Sequence, residues 1–77
     1  MDELTQIRSK PEQIADHYQR LINAGQIMPG YKLPTSYEIA ELFGVSRATA
    51  CRAFRELERR HLVTVKHRAG AYAARAA

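Results

Sequence analysis

Gly44-Val45-Ser46-Arg47-Ala48-Thr49-Ala50-Cys51-Arg52-Ala53-Phe54-Arg55-Glu56-Leu57 is the stretch that decides how this chain folds. It reads as the turn and second helix of a helix-turn-helix. Gly44 permits the positive φ of a sharp interhelical turn, and Val45 offers an apolar plug for the angle between two helices. Ser46 suits an N-cap, because its hydroxyl can accept a hydrogen bond from a first-turn amide that has no partner within the helix. Beyond it, Ala50, Ala53, Phe54 and Leu57 recur at helical spacing and define a buried stripe. The other side carries Arg47, Ala48, Arg52, Arg55 and Arg59, a basic face with almost no acid. A helix of this kind can pack by one side and meet phosphates and base edges with the other.

Working outward, Thr35-Ser36-Tyr37-Glu38 matches a capping box, with Thr35 as cap and Glu38 reaching back. The helix it opens takes Ile39, Ala40, Leu42 and Phe43 as apolar positions and ends at Gly44. Further upstream, Pro11 fits the first position of another helix, where a missing N–H costs nothing. Ile14, Tyr18, Leu21 and Ile22 form its apolar face, and it should stop near Gly25. Ile27-Met28-Pro29-Gly30 is a turn-rich connector, and Tyr31-Lys32-Leu33 is short enough for an edge strand. Downstream, Leu62-Val63-Thr64-Val65-Lys66, β-branched at its three central positions, reads as a strand. His67-Arg68-Ala69-Gly70 is the turn, and Ala71-Tyr72-Ala73 a weak returning strand with Tyr72 as core beneath it. The fold class is mainly α with a small antiparallel β-hairpin: three helices plus a wing, a winged helix-turn-helix. Residues 1–10 read as a flexible N-terminal segment, where Leu4 and Ile7 are the packing candidates, residues 11–74 as the domain, and residues 75–77 as a tail.

Seventy-seven residues make one small domain, near the size at which a single core is only marginally sufficient. The lone Cys51 cannot form an internal disulfide. With three scattered histidines and no Cys-x-x-Cys, neither a metal nor a cofactor is expected. No apolar run approaches membrane-spanning length and no signal-peptide pattern opens the chain, so a cytoplasmic address is expected. The net charge of +4 is unevenly spread. Through Ser46 there are four Lys and Arg against six acids; from Arg47 onward there are eight against Glu56 and Glu58. The positive charge therefore coincides with the second helix of the motif and the hairpin after it, which favours a polyanionic partner over a merely solvated face. Clustered carboxylates, a Cys/His pair in register and a glycine-rich phosphate loop are all missing, and so short a chain has little room for a concave substrate or effector pocket. An enzyme is not expected. The rival readings are a winged helix that docks a protein by its first helix or wing, and an architectural accessory factor on DNA. A docking surface would favour exposed apolar residues over five arginines between Arg47 and Arg60.

The order of elements also resembles a known family. Leu33-Pro34-Thr35-Ser36-Tyr37-Glu38-Ile39-Ala40-Glu41, Gly44-Val45-Ser46-Arg47-Ala48-Thr49 and Arg52-Ala53-Phe54-x-x-Leu57-Glu58 look like the DNA-binding domain of the GntR family of bacterial transcription regulators. Ala24-Gly25-Gln26-Ile27-Met28-Pro29-Gly30-Tyr31-Lys32-Leu33-Pro34 resembles the family's Ser-Gly-x-Leu-x-Pro-Gly-x-x-Leu-Pro. The likeness runs without a gap from about Pro11 to Tyr72. It implies sequence-specific binding of double-stranded DNA by a bacterial, phage or mobile-element regulator, expected to be a repressor, with two copies on a two-fold operator. Such regulators usually continue into a larger C-terminal domain that binds a small effector and drives dimerisation. This chain opens with Met1, which argues for a natural N-terminus, and ends just after the wing, which fits either an excised DNA-binding domain or a stand-alone small regulator.

Position by position, the resemblance implies that Arg47 contacts DNA, that Ala48 and Thr49 approach bases or backbone, and that Gly70 approaches the minor groove. The chain departs from the pattern where it has Tyr37 for an arginine, Cys51 for a frequent arginine, Arg68 for the first wing glycine and His61 for the glycine before the wing strand. Arg52 and Arg68 are the candidates to compensate, and a guanidinium at Arg68 suits a narrow, A·T-rich minor groove. The expected DNA-binding set is Thr35, Ser36, Tyr37, Ser46, Arg47, Ala48, Thr49, Arg52, Arg55, His67, Arg68 and Gly70. Each has a plainer alternative. Arg47 would otherwise pair with a nearby acid, and Arg55 with Glu58. Ser36 and Tyr37 can hold a phosphate at a helix start, or Tyr37 can simply pack. Thr35 can be a plain cap, and His67 a solvated residue rather than a minor-groove one.

Overall fold

In the computed structural model, which describes residues 8–66 and 70–74, each helix starts at a hydroxyl residue. Helix α1 (Lys10–Asn23) is opened by Ser9, whose side chain accepts from the Glu12 N–H while the Glu12 carboxylate accepts the Ser9 N–H at 3.0 Å. This capping box, rather than Pro11, sets the start. Pro11 lies inside the first turn, where its missing N–H has no intrahelical partner to lose. The helix stops at Asn23, close to the expected Gly25. Helix α2 (Ser36–Phe43) is opened by the Thr35–Glu38 box: the Thr35 N–H donates to the Glu38 carboxylate at 2.8 Å and the Glu38 N–H to the Thr35 hydroxyl at 3.1 Å. Helix α3 (Arg47–Arg59) begins at Ser46, which accepts from the Thr49 N–H at 3.1 Å. Between α2 and α3, Gly44 takes φ +65° and the Val45 N–H returns to the Ala40 carbonyl at 3.0 Å. A left-handed residue at this point reverses the chain tightly, and glycine does so without a β-carbon clash.

Strands β1 (Val63–Lys66) and β2 (Gly70–Ala73) pair antiparallel, with Val63 opposite Ala73 and Lys66 opposite Gly70. Tyr31-Lys32-Leu33 forms only an isolated bridge, Lys32 to Tyr72, not a full strand. Its backbone still joins the hairpin edge: the Leu33 N–H donates to the Ala71 carbonyl and the Ala73 N–H to the Tyr31 carbonyl, both at 2.8 Å. Pro34 then ends the pairing, because it has no N–H to offer a ladder.

The core holds Ile14, Ala15 and Tyr18 from α1, Leu33, Ile39 from α2, Ala50, Ala53 and Leu57 from α3, and Val63, Ala71 and Ala73 from the wing. Leu21, Ile22, Ala40, Phe43, Val45, Phe54 and Leu62 pack around it half-buried. Full burial of Ile39 or Leu57 is worth about 1.5–3 kcal/mol each. The alanines of α3 are small enough for α1 and α2 to approach its backbone. Three expectations change. Leu42 is 69 % exposed, because it lies on the far side of Ile39 from Ala40 and Phe43 and turns outward. Tyr72 is half-buried rather than core: Ala71 and Ala73 point inward, so the alternating pleat turns Tyr72 to the other face. Phe54 is likewise half-buried, beside the Ala50–Ala53–Leu57 line rather than on it.

Candidate nucleic-acid interface

The start of α2, one side of α3 and the wing converge on an open groove of about 570 Å³. Thr35, Ser36 and Tyr37 line it from α2, Cys51, Phe54, Arg55 and Glu58 from α3, and Val65, Lys66, Gly70 and Ala71 from the hairpin, with Lys32 reaching in from the preceding connector. Two caps fix this geometry. The Thr35 hydroxyl accepts the Glu38 amide and keeps its own proton to donate. The Ser46 hydroxyl donates to the Thr49 hydroxyl at 3.0 Å, which leaves the Thr49 proton to point elsewhere.

Arg47, the first residue of α3, does not pair with an acid among the described residues. Its guanidinium carbon lies 4.0 Å from the centre of the Tyr37 ring, on the second residue of α2. Both residues are exposed, Tyr37 at 63 %. Ala48, Arg52 and Arg55 continue the exposed side of α3. Arg55 and Glu58 both line the groove, but the alternative Arg55–Glu58 ion pair is not formed among the described residues.

The far end of α3 behaves differently. Arg59 hydrogen-bonds Glu56, and Arg60 is tied to Glu56 at 2.8 Å and, across to α1, to Asp16 at 2.8 Å and Gln19 at 2.7 Å. Asp16 also holds Arg8 at 2.9 Å. The hydrogen bonds from Arg59 and Arg60 hold the Glu56 carboxyl down to about 2. Of the five arginines between Arg47 and Arg60, two are therefore engaged in joining α3 to itself and to α1. Arg47, Arg52 and Arg55 remain without an acid partner among the described residues.

Thr35, Ser36, Tyr37, Arg55 and Gly70 thus come together around one groove, and the stack on Tyr37 brings Arg47 to its rim. Ser46, Ala48, Thr49 and Arg52 follow on the first turns of α3. His67 and Arg68 lie outside the described residues. The sequence pattern does not mark Lys32, yet its side chain lies against Gly70, where an added β-carbon would come within 2.9 Å of the Lys32 Cε. Nothing local marks this lysine, since only the bridge from Lys32 to Tyr72 brings it to the hairpin. Lys66, opposite Gly70, stands 5.9 Å from the centre of the Tyr72 ring.

The sequence pattern of the bacterial regulatory proteins of the gntR family matches residues 10–72. The chain belongs to that family. This gntR chain is 39% identical over 54 residues to the HTH-type transcriptional regulator Rv1152 of Mycobacterium tuberculosis, a match covering 70% of this chain and 45% of that protein. It is 37% identical over 60 residues to MngR of Escherichia coli, the mannosyl-D-glycerate transport/metabolism system repressor, covering 78% of this chain and 25% of MngR. The chain spans less than half the length of these curated relatives. Among solved structures, AraR(DBD) in complex with operator ORX1 matches with a TM-score of 0.85 at 31% identity, over 96% of this chain and 87% of that one. YtrA from Sulfolobus acidocaldarius, a GntR-family transcription factor, matches at 0.75 and 32% identity, over 92% and 62% of the two chains. The winged helix expected from the sequence is the fold observed, and the family is one of regulators rather than enzymes. Among the described residues, no helix is long and apolar enough to cross a membrane.

Proposed function

We propose that this gntR-family chain binds double-stranded DNA sequence-specifically as a transcription regulator of bacterial type, a repressor acting in the cytoplasm. The observation that carries the proposal is the convergence of Arg55, Lys32, Lys66 and the capped start of α2 on one groove of a winged helix, with Arg47 at its rim and neither arginine paired with an acid among the described residues. The likeness to AraR(DBD), a structure containing operator DNA, and to the repressor MngR supports it. In this account α3 enters the major groove by its first turns, with Arg47 reading a base edge and Ala48 and Thr49 beside it. Arg52, Arg55, Lys66 and Lys32 neutralise phosphates. Ser36 and the unpartnered amides of the first α2 turn hold another phosphate, since a helix start favours an anion. His67, Arg68 and Gly70 meet the minor groove. Two copies on a two-fold site bind far more tightly than one, because the second association becomes effectively intramolecular.

Fluorescence titration of a duplex selected from random sequence, at two salt concentrations, tests the proposal. With roughly 4–6 phosphate contacts per module, log affinity falls against log salt by about 0.9 per contact. Salt-independent binding, or none at low salt, contradicts it and leaves the protein-docking reading.

A further inference from the structure

We infer that Tyr37 is a positioning residue for sequence discrimination: its ring holds the Arg47 guanidinium flat, so that the edge of the guanidinium is presented to a guanine in the major groove. The inference rests on the DNA-binding reading above and adds to it the device that prepares the reader. Tyr37 and Arg47 belong to different helices, yet the Arg47 guanidinium carbon lies 4.0 Å from the ring centre. Each backbone anchor is fixed independently. Thr35 and Glu38 lock the start of α2 one residue before Ser36, and Ser46 locks the start of α3 immediately before Arg47.

The geometry decides what the contact leaves available. The contact brings the guanidinium carbon over the ring and involves no acceptor atom, so it leaves the N–H groups, which point outward from the guanidinium edge, uncommitted. A salt bridge to a carboxylate would consume that edge, and none is present at Arg47 among the described residues. The stack therefore restrains a long, exposed side chain that would otherwise sample many rotamers, while leaving the bidentate fork open for the guanine O6 and N7 atoms. A lone exposed arginine would lose that freedom on forming the bidentate guanine contact but not on a site that lacks N7, so restraining it beforehand favours the guanine site. Tyr37 is 63 % exposed and absent from the core, so its side chain is not held there by folding.

The test measures the ratio of affinities for a selected duplex and for one in which the guanine read by Arg47 is replaced by 7-deazaguanine. Wild type, Tyr37→Phe, Tyr37→Ala, Arg47→Ala and the Tyr37→Ala/Arg47→Ala pair are compared, with thermal melts to establish folding. Tyr37→Ala should lose about 2- to 5-fold in the ratio, the range of an exposed cation–π contact. Tyr37→Phe should keep the wild-type ratio, because the ring and not the hydroxyl makes the stack. The double variant should discriminate no worse than Arg47→Ala alone. In the free protein, the Arg47 side-chain protons should be shifted upfield by the ring in wild type and Tyr37→Phe, and not in Tyr37→Ala. A wild-type ratio in Tyr37→Ala, or a loss in Tyr37→Phe equal to that in Tyr37→Ala, overturns the stacking role while DNA reading stands. A wild type that shows the upfield shift but does not discriminate among duplexes overturns the DNA-reading function itself.

Discussion

Arg47 and Arg60 lie at opposite ends of α3, and their partners assign them different work. Arg60 is spent on structure, bound to Glu56 on its own helix and to Asp16 and Gln19 on α1. Arg47 touches only the face of Tyr37 among these contacts, which leaves its fork available. Arg47→Ala should therefore lose about 1–3 kcal/mol on the preferred site and relax its sequence preference. Lys66→Ala should weaken all sequences alike and flatten the salt slope by about one unit. Parallel titrations of the two variants on specific and non-specific duplexes check this; the same uniform loss in both would reduce Arg47 to a phosphate anchor. The residue types were legible in the sequence, since the arginines of α3 and the hydroxyls of two capping sites are local features. Their pairing was not. Arg59 is taken by Glu56 nearby, but Arg60 is tied across to Asp16 and Gln19, more than forty residues away, and the Tyr37–Arg47 contact depends on the angle between two helices.

At the scale of elements, the helix ends and the wing start carry the testable energetics. Glu56 joins the last turn of α3 to Arg60, and its carboxyl is held at about 2 rather than its ordinary 4.5 by hydrogen bonds from Arg59 and Arg60. A depressed carboxylate contributes stability that is fully present above about pH 4.5 and is lost as pH falls toward about 2, where the folded form takes up the proton. Glu56→Gln should destabilise by about 1 kcal/mol at neutral pH, with the gap to wild type closing across that acid window. Thermal melts of both proteins as a function of pH would show it; a constant gap would deny the ion pairs any role. His61, before β1, takes φ +62°, a left-handed conformation at the position where the family resemblance expects glycine. His61→Gly should stabilise the fold by about 0.5–1 kcal/mol, the β-carbon cost being only partly offset by the freer unfolded chain. A lower melting temperature in that variant would contradict the assignment of strain. The Thr35–Glu38 box could be read directly because its signature spans four residues. In the sequence Pro11 overshadows the equivalent Ser9–Glu12 box, and spacing alone places Leu42 inward because a two-turn helix leaves its apolar face poorly defined.

For the whole molecule, the division of labour follows from packing. α3 buries three of its positions fully against α1, α2 and the wing, which fixes its opposite side as an exposed surface. The arginine network at its far end ties it to α1 and spares the groove side for a partner. The wing closes the groove from the other flank, with Lys32 and Lys66 beside Gly70. The winged helix was legible as a whole because caps, stripes and hairpin all pointed to one topology. The lysine side of the groove was not, since Lys32 arrives there through a single backbone bridge. The most direct test of the central claim is NMR shift mapping of the isotope-labelled chain on addition of a selected duplex at low salt. The account predicts perturbations concentrated at Thr35–Tyr37, Ser46–Arg55 and Lys66–Gly70, with the outer face of α1 unmoved. Perturbations centred on α1, or none at all, would contradict it.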